Sequence, residues 1–295
     1  MDMISAAMSS ARVGRANGRR ITDTGPYGVR LPAMPLLGFH VLRNGEGWLI
    51  TSDSEPVALH PGDIVFVTDG VEHGMARTPC TLAELPPIVM ADVPPSPVPV
   101  DFEFLCASYM FPEGQVPGIV RRMSGVVAFT PDYDRHPELR TVVDMLAADY
   151  AQLSPGSRAI RCALIDLMMV HILQHLQRRG GELWPSADEP GITEALRVIH
   201  EHPERPWTVQ QLSDVAQMSR TAFTRRFRTT MGSSPMAYLT DWRLTSAAGI
   251  LQESTAPLAT VARRSGYSTP YAFTAAFRRK YGLPPGRYRE ELQAL

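Results

Sequence analysis

Phe223-Thr224-Arg225-Arg226-Phe227-Arg228 returns fifty residues later as Phe273-Thr274-Ala275-Ala276-Phe277-Arg278. Gly232, Pro235 and Tyr238 fall on Gly282, Pro285 and Tyr288 at the same offset, and Ala222 falls on Ala272. Upstream the offset becomes 49, pairing Leu212-Ser213 with Val261-Ala262 and Met218-Ser219 with Tyr267-Ser268. Dissimilar residues recurring in one order mark a supersecondary unit present twice.

Each copy reads as helix, tight turn, helix. Thr208 can cap a helix running to about Ala216, and Ser219 can cap a second from Arg220 to Thr230. In the second copy Gly266 supplies the turn, Ser268 is the expected cap, and Pro270 sits in the first helical turn, where its missing N–H removes no intrahelical bond. Gly232 and Gly282 are placed to end the second helices. Phe223 and Phe227 lie one turn apart, as do Phe273, Phe277 and Tyr281, so each second helix buries an aromatic stripe. The opposite face then carries Arg220, Thr221, Thr224, Arg225 and Arg228 in the first copy. In the second it carries Thr269, Tyr271, Thr274, Arg278 and Arg279. Arg, Thr and Tyr reach phosphates and base edges, which makes both faces candidates for reading DNA.

Charge follows the same division. Residues 190–295 hold 14 Lys and Arg against 8 Asp and Glu, a net of +6, while residues 1–189 carry a net of −7. The C-terminal part is the candidate polyanion binder.

The segment from about Gly191 to Glu291 resembles the DNA-binding domain of the AraC/XylS transcription regulators. The most specific stretch is Val261-Ala262, Gly266-Tyr267-Ser268, Ala272-Phe273, Phe277-Arg278-Arg279, Gly282 and Pro285 to Arg289. The resemblance implies two helix-turn-helix units, about 208–230 and 258–281, joined by a long helix over about 234–251 and facing successive major grooves. Tyr238, Leu239, Trp242, Leu244, Ala247, Ala248 and Leu251 have the spacing that helix needs. Two features depart from the family pattern: an extra proline in Leu283-Pro284-Pro285, and Ala275-Ala276 where the first copy has Arg225-Arg226. The second copy is therefore expected to touch fewer phosphates.

At 295 residues the chain is about twice the usual domain length. From Leu36 to about Leu105, short apolar runs alternate with turn signals at Asn44-Gly45, Ser52-Asp53, Pro61-Gly62 and Asp69-Gly70, the pattern of a barrel or sandwich. Helical spacing follows in Leu139, Val142, Val143, Leu146 and Tyr150, then in Ile160, Leu164, Leu167, Met168, His171, Ile172 and Leu176. The expected organisation is α+β. A flexible tail (1–20) precedes a cupin-like barrel domain with helices (21–183), a linker (184–190) and an all-α DNA-binding domain (191–295).

The barrel reading rests on Phe39 to Gly45, then Leu59-His60-Pro61-Gly62-Asp63 to Val67, then Gly70 and His73. These resemble a cupin, specifically the sensor type found ahead of such DNA-binding domains. The first-motif cluster of two histidines and a glutamate is missing, since His40 stands alone on its strand. His40, His73 and Cys106 lie on three strands whose cupin equivalents point inward, a donor set that suits zinc or copper. Cys106 could instead act as a redox-sensing thiol, or all three could be ordinary interior residues.

Three cysteines without framework spacing, and no apolar run near the 18 residues that span a bilayer, point to a cytoplasmic protein without a membrane partner. The expected function is a sequence-specific DNA-binding transcription regulator rather than an enzyme. It would act as a homodimeric activator that contacts RNA polymerase and responds at the barrel to a small effector, a metal or a redox signal. A metal-dependent cupin enzyme with an accessory DNA-binding domain is the alternative, and a nucleoid-type structural binder a third reading.

Overall fold

The structure, a computed structural model, describes residues 3–12, 14–22, 27–68, 70–88, 101–111, 116, 118–121, 123, 125–151, 155–179 and 190–293. The expected linker, apart from Pro190, lies outside the described residues. In chain order the elements are α1 (Met3–Ala11), β1 (Arg15–Ile21), β2 (Gly28–Leu31), β3 (Leu36–Asn44), β4 (Gly47–Ile50), β5 (Val57–Leu59), β6 (Ile64–Thr68), β7 (His73–Ala76), β8 (Glu103–Met110), α2 (Gly118–Arg121), β9 (Gly125–Phe129), α3 (Glu138–Ala151), α4 (Ser157–Arg179), α5 (Pro190–Glu201), α6 (Val209–Val215), α7 (Arg220–Met231), α8 (Pro235–Glu253), α9 (Leu258–Arg264), α10 (Pro270–Tyr281) and α11 (Pro285–Gln293). The class is α+β, and the chain forms two compact units. One comprises Gly14–Pro112 with Ser124–Arg179, and the other Met1–Val13, Glu113–Met123 and Gly180–Leu295.

The first unit stacks two antiparallel sheets, ordered β1-β8-β3-β6-β9 and β2-β7-β4-β5. Leu42, Leu49, Leu59, Val65, Met75, Phe102 and Phe104 fill the space between them. Every residue of β6 is buried, as its unbroken apolar run requires. The turn before it depends on Gly62, at φ +99°. Asp63 then accepts hydrogen bonds from the His60 amide at 2.8 Å and the Thr130 hydroxyl at 2.6 Å. Helix α4 has the length and apolar composition to cross a bilayer. Its Ile165, Met168, Met169, Ile172 and Leu173 are nevertheless buried within this unit, the pattern of a core helix.

Residues 1–20, expected as a tail, hold α1 and most of β1. Helix α1 packs with α2, α5 and α8, burying Ala7, Met8 and Ala11, and so belongs to the unit that holds the C-terminal helices. Its small residues give too weak an apolar stripe to announce a helix. Strand β1 pairs with β8 alone, at the sheet's edge, where polar and charged side chains such as Arg19 and Arg20 are tolerated. Arg20 meets Glu103 of β8 at 2.7 Å.

In the second unit the caps follow the sequence closely. Thr208 accepts from the Gln211 amide in a capping box, Ser219 accepts from Ala222, and Gly232 and Gly282 end α7 and α10 in the left-handed region. The cap of α10 is Thr269, not Ser268. Pro270 takes the first helical position, so the residue before it must be the cap, and Thr269 accepts from the Ala272 amide at 3.1 Å.

The turns inside the two copies share a backbone conformation but not a residue. Gly266 has φ +76°, and at the equivalent position Gln217 has φ +55°. A side chain in this region costs roughly 1–2 kcal/mol. Gln217→Gly is therefore expected to stabilise the unit by about 0.5–1 kcal/mol after allowing for glycine's greater freedom when unfolded. Gly266→Ala should destabilise it, because an added Cβ would lie 2.7 Å from the Pro203 carbonyl oxygen and the Arg243 Nε. Urea midpoints of the two variants against the parent chain check both signs.

Candidate functional site

Helix α7 buries Phe223, Phe227 and Met231, and α10 buries Phe273, Ala276, Phe277 and Tyr281. The spacing of 3.6 residues per turn then fixes what faces outward. Arg220, Thr221, Arg225 and Arg228 are exposed on α7, and Arg278 and Arg279 on α10. Tyr271 is 86% exposed. None of these five arginines is held in an ion pair among the described residues. Thr224 and Thr274 are half-buried, and the Thr224 hydroxyl donates to the Arg220 carbonyl at 2.8 Å. Thr269 is exposed, but its oxygen is engaged as the α10 cap. These threonines can offer a methyl group or a remaining lone pair, whereas the guanidiniums are free to pair with phosphates or guanine edges.

Other cations of this unit have internal duties. Lys280, the only lysine in the chain, meets Asp241 at 2.7 Å and donates to the Thr245 hydroxyl at 2.7 Å, tying α10 to α8. Burial lowers its pKa, and Asp241 draws it back up. Arg243 donates to the carbonyls of Pro203 and Arg205, and Arg289 to that of Ala256. Arg263 and Arg264, exposed at the end of α9, were not among the residues expected at the DNA-reading face. They lie in the last turn of the first helix of the second copy.

The three candidates of the first unit do come together. β3 pairs with β8 so that His40 stands directly opposite Cys106, and β7 brings His73 from the other sheet. His40 Nδ1 lies 2.8 Å from the Cys106 Sγ, and His40 Nε2 lies 2.8 Å from His73 Nε2. His73 Nδ1 is 2.9 Å from the Val71 carbonyl, which can only accept. That carbonyl sets the whole row. His73 Nδ1 carries its proton, so its Nε2 accepts from His40 Nε2–H, and His40 Nδ1 accepts from the Cys106 thiol.

Each member of the row is held uncharged. Burial, with His73 beside it, holds His40 well below the usual imidazole range. Burial lowers His73 too, against smaller upward pulls from the Val71 hydrogen bond and Glu72. The Cys106 thiol is pushed up by burial, only partly offset by Arg19. A protonated thiol is a poor oxidation target. His40 stands between the other two and uses one ring nitrogen on each, so the donor atoms form a row rather than converging on a point. As arranged, the trio does not present three ligands to one zinc or copper ion. The row borders a cavity of about 80 Å³ whose other walls include Leu31, Met34, Leu36, Phe39, Ile88 and Met110.

Residues 2–177 match the cupin family, and residues 212–291 match a helix-turn-helix domain family. An AraC-like transcription regulator of Streptomyces lividans is 29% identical over 276 residues, covering 90% of each chain. The HTH-type transcriptional regulator MtrA of Neisseria gonorrhoeae is 24% identical over 302 residues, covering 99% of each. A solved structure of the DNA-binding domain of AdpA in complex with a target DNA is 35% identical, covering 35% of this chain and 94% of its own, with a TM-score of 0.35.

Because His40 and His73 titrate lower when folded than the ordinary 6.5, the unfolded chain binds more protons below that pH. The stability they contribute is present above about pH 6.5 and is lost as pH falls through the window beneath it, by up to about 1.4 kcal/mol per pH unit for each imidazole. Thermal melting between about pH 7 and pH 5 should show this decline. His40→Gln is expected to flatten the slope whatever it does to the melting temperature at neutral pH.

Proposed function

The chain belongs to the AraC-type transcription regulators that join a cupin domain to a helix-turn-helix domain, and from that membership we propose that α7 and α10 read an operator while the His40 cavity receives the signal. The observation that carries this reading is the pair of matched helices, each capped at its start, burying its aromatics and leaving unpaired arginines on its outward face. Exposed helix starts suit the major groove, and nearby guanidiniums neutralise phosphates. α7 offers three such arginines and α10 two, which supports a stronger phosphate grip by the first copy.

The signal best suited to the cavity is a small, largely apolar molecule that hydrogen-bonds to the His40 row, since the walls are mostly apolar with a few polar groups converging. The protein would act in the cytoplasm as a homodimeric activator that contacts RNA polymerase. Met145 on α3 and Ile160 and Leu167 on α4 support the dimer, being large apolar side chains that remain exposed. Ile160 and Leu167 lie two turns apart on one face of α4. Sedimentation at micromolar concentration is expected to give a dimer, and a monomer there would count against it.

The deciding experiment is selection of genomic DNA fragments by the purified protein at near-physiological salt, with Arg225→Ala alongside. A shared directional motif spanning two major-groove turns is expected, with the variant weaker on it by about 1–3 kcal/mol. A loss that is equal on unrelated DNA, with a smaller salt dependence, would reassign Arg225 to phosphate. Absence of any enriched motif would overturn the reading.

A further inference from the structure

A second cluster of ligating side chains lies in the first unit, away from the barrel cavity. The turn before α3 is set by Asp132, whose carboxylate accepts from the Arg135 amide at 3.0 Å and whose carbonyl accepts from the His136 amide at 2.9 Å. It places His136 just ahead of Glu138, with His136 Nδ1 3.1 Å from the Glu138 Oε1. Helix α4 brings His171 against the same carboxylate, His171 Nε2 lying 3.9 Å from that oxygen. The His136 and His171 rings are 5.1 Å apart, and one ligand atom from each of the three residues lies within 4.8 Å of the others. Zinc bonds of about 2.0–2.1 Å in tetrahedral geometry hold neighbouring ligand atoms about 3.3–3.4 Å apart, so only a small closure is needed.

Two further observations point to a missing partner. His136 Nε2 and His175 Nε2 are buried without a hydrogen-bond partner, and His175 lines the same small pocket one helical turn beyond His171. Two histidines four residues apart share one helix face, the spacing by which a helix offers paired imidazoles to a metal. Asp132 and Arg178 line the pocket, Glu138 meets the imidazoles of His136 and His171, and Arg178 and Arg179 are the cations nearby.

We propose that His136, Glu138 and His171 form a site for a zinc-class divalent cation, with His175 within one turn as a further ligand, fastening the start of α3 to the middle of α4. The two imidazoles and the carboxylate leave a fourth position that His175 can take, and this nitrogen and oxygen set suits zinc over the hard cations.

The test is zinc binding, by competition with a chromophoric chelator, to the full-length chain carrying Cys106→Ser, which removes the barrel's thiol. Cobalt(II) serves as a spectroscopic probe. One tightly held ion is expected, with a cobalt spectrum lacking thiolate charge transfer, and His171→Ala or His136→Gln should weaken binding at least about tenfold. Zinc should also raise the melting temperature of the parent but not of these variants. If His171→Ala does not fold, Glu138→Gln, a change at a half-exposed position, carries the same comparison. Absence of binding at micromolar free zinc overturns the site, as does binding unchanged by Glu138→Gln and His136→Gln, which would place the ion on other histidines.

Discussion

Neither helix-turn-helix unit can hold its shape without α8. The helices α6 and α9 are seven residues each, too short to persist on their own hydrogen bonds, so their stability comes from the apolar faces they share with a longer partner. For α9 that partner is α8, together with α10; α6 packs on α5 and α7, which in turn rest on α8. Toward its start, Tyr238 packs edge-on to Phe227 and accepts or donates at 2.8 Å with His200 of α5, whose ring lies against Trp242. Toward its end, Leu244, Ala247, Ala248 and Leu251 meet Phe273, Phe277 and Tyr281, with Tyr288 of α11 closing the cluster. Truncating any buried aromatic of this kind costs about 3–5 kcal/mol, a large part of a domain's total stability. Between the two cores, Asp241 of α8 holds Lys280 of α10.

That arrangement explains how the basic residues are spent. A net charge of +6 says little about nucleic acid by itself, and Lys280, Arg243 and Arg289 show why: their donors bond to α8, to backbone carbonyls or to both, within the unit. Once those are set aside, along with Arg197 and Arg287, which pair with glutamates, the exposed arginines named on α7 and α10 fall on the faces opposite the buried aromatics. All of them are arginines, whose planar fork can pair with two acceptors at once where an ammonium offers a point charge. The core therefore decides the polarity of the reading face. A stripe that buries Phe223 and Phe227 leaves Arg220, Arg225 and Arg228 nowhere to go but outward.

Legibility followed the strength of local physics. Helix caps, left-handed glycines and aromatic spacing are one-dimensional signals, so the α6–α7 and α9–α10 pairs and α8 could be read from residues such as Ser219, Gly232 and Tyr238. The cap at Thr269 was misplaced by one residue because Ser268 has equal chemistry and only the backbone role of Pro270 separates them. Strand β1 was hidden because an edge strand may be polar, and α1 because its burial depends on helices far away in sequence. In the helix pair after the barrel, Ile160 and Leu167 share the apolar spacing of α4 yet stay exposed, while Ile165 and Met169, outside that spacing, take the interior. Periodicity identifies a helix more reliably than it identifies which flank of the stripe is covered. His40, His73 and Cys106 were found by residue type and strand position. Their arrangement in a row was not legible, since it depends on the Val71 carbonyl fixing one tautomer after another.

The row limits what a signal at the barrel can be. It joins β3 and β8 of one sheet to β7 of the other, and every polar atom named in it is satisfied without a net charge. A molecule entering the cavity must either leave the row intact and bind through apolar contact, or replace a hydrogen bond it breaks, because an unpaired buried donor or acceptor costs roughly 1–3 kcal/mol. The second course loosens the one polar tie that the row makes between the sheets, so occupancy and barrel conformation become linked. Any effect of occupancy on operator affinity then has an equal converse: DNA must change the affinity of the barrel for its signal by the same factor. Apolar contact alone provides no such lever on the sheets, which makes the His40–His73 hydrogen bond the place where a ligand's chemistry can be converted into a change of structure.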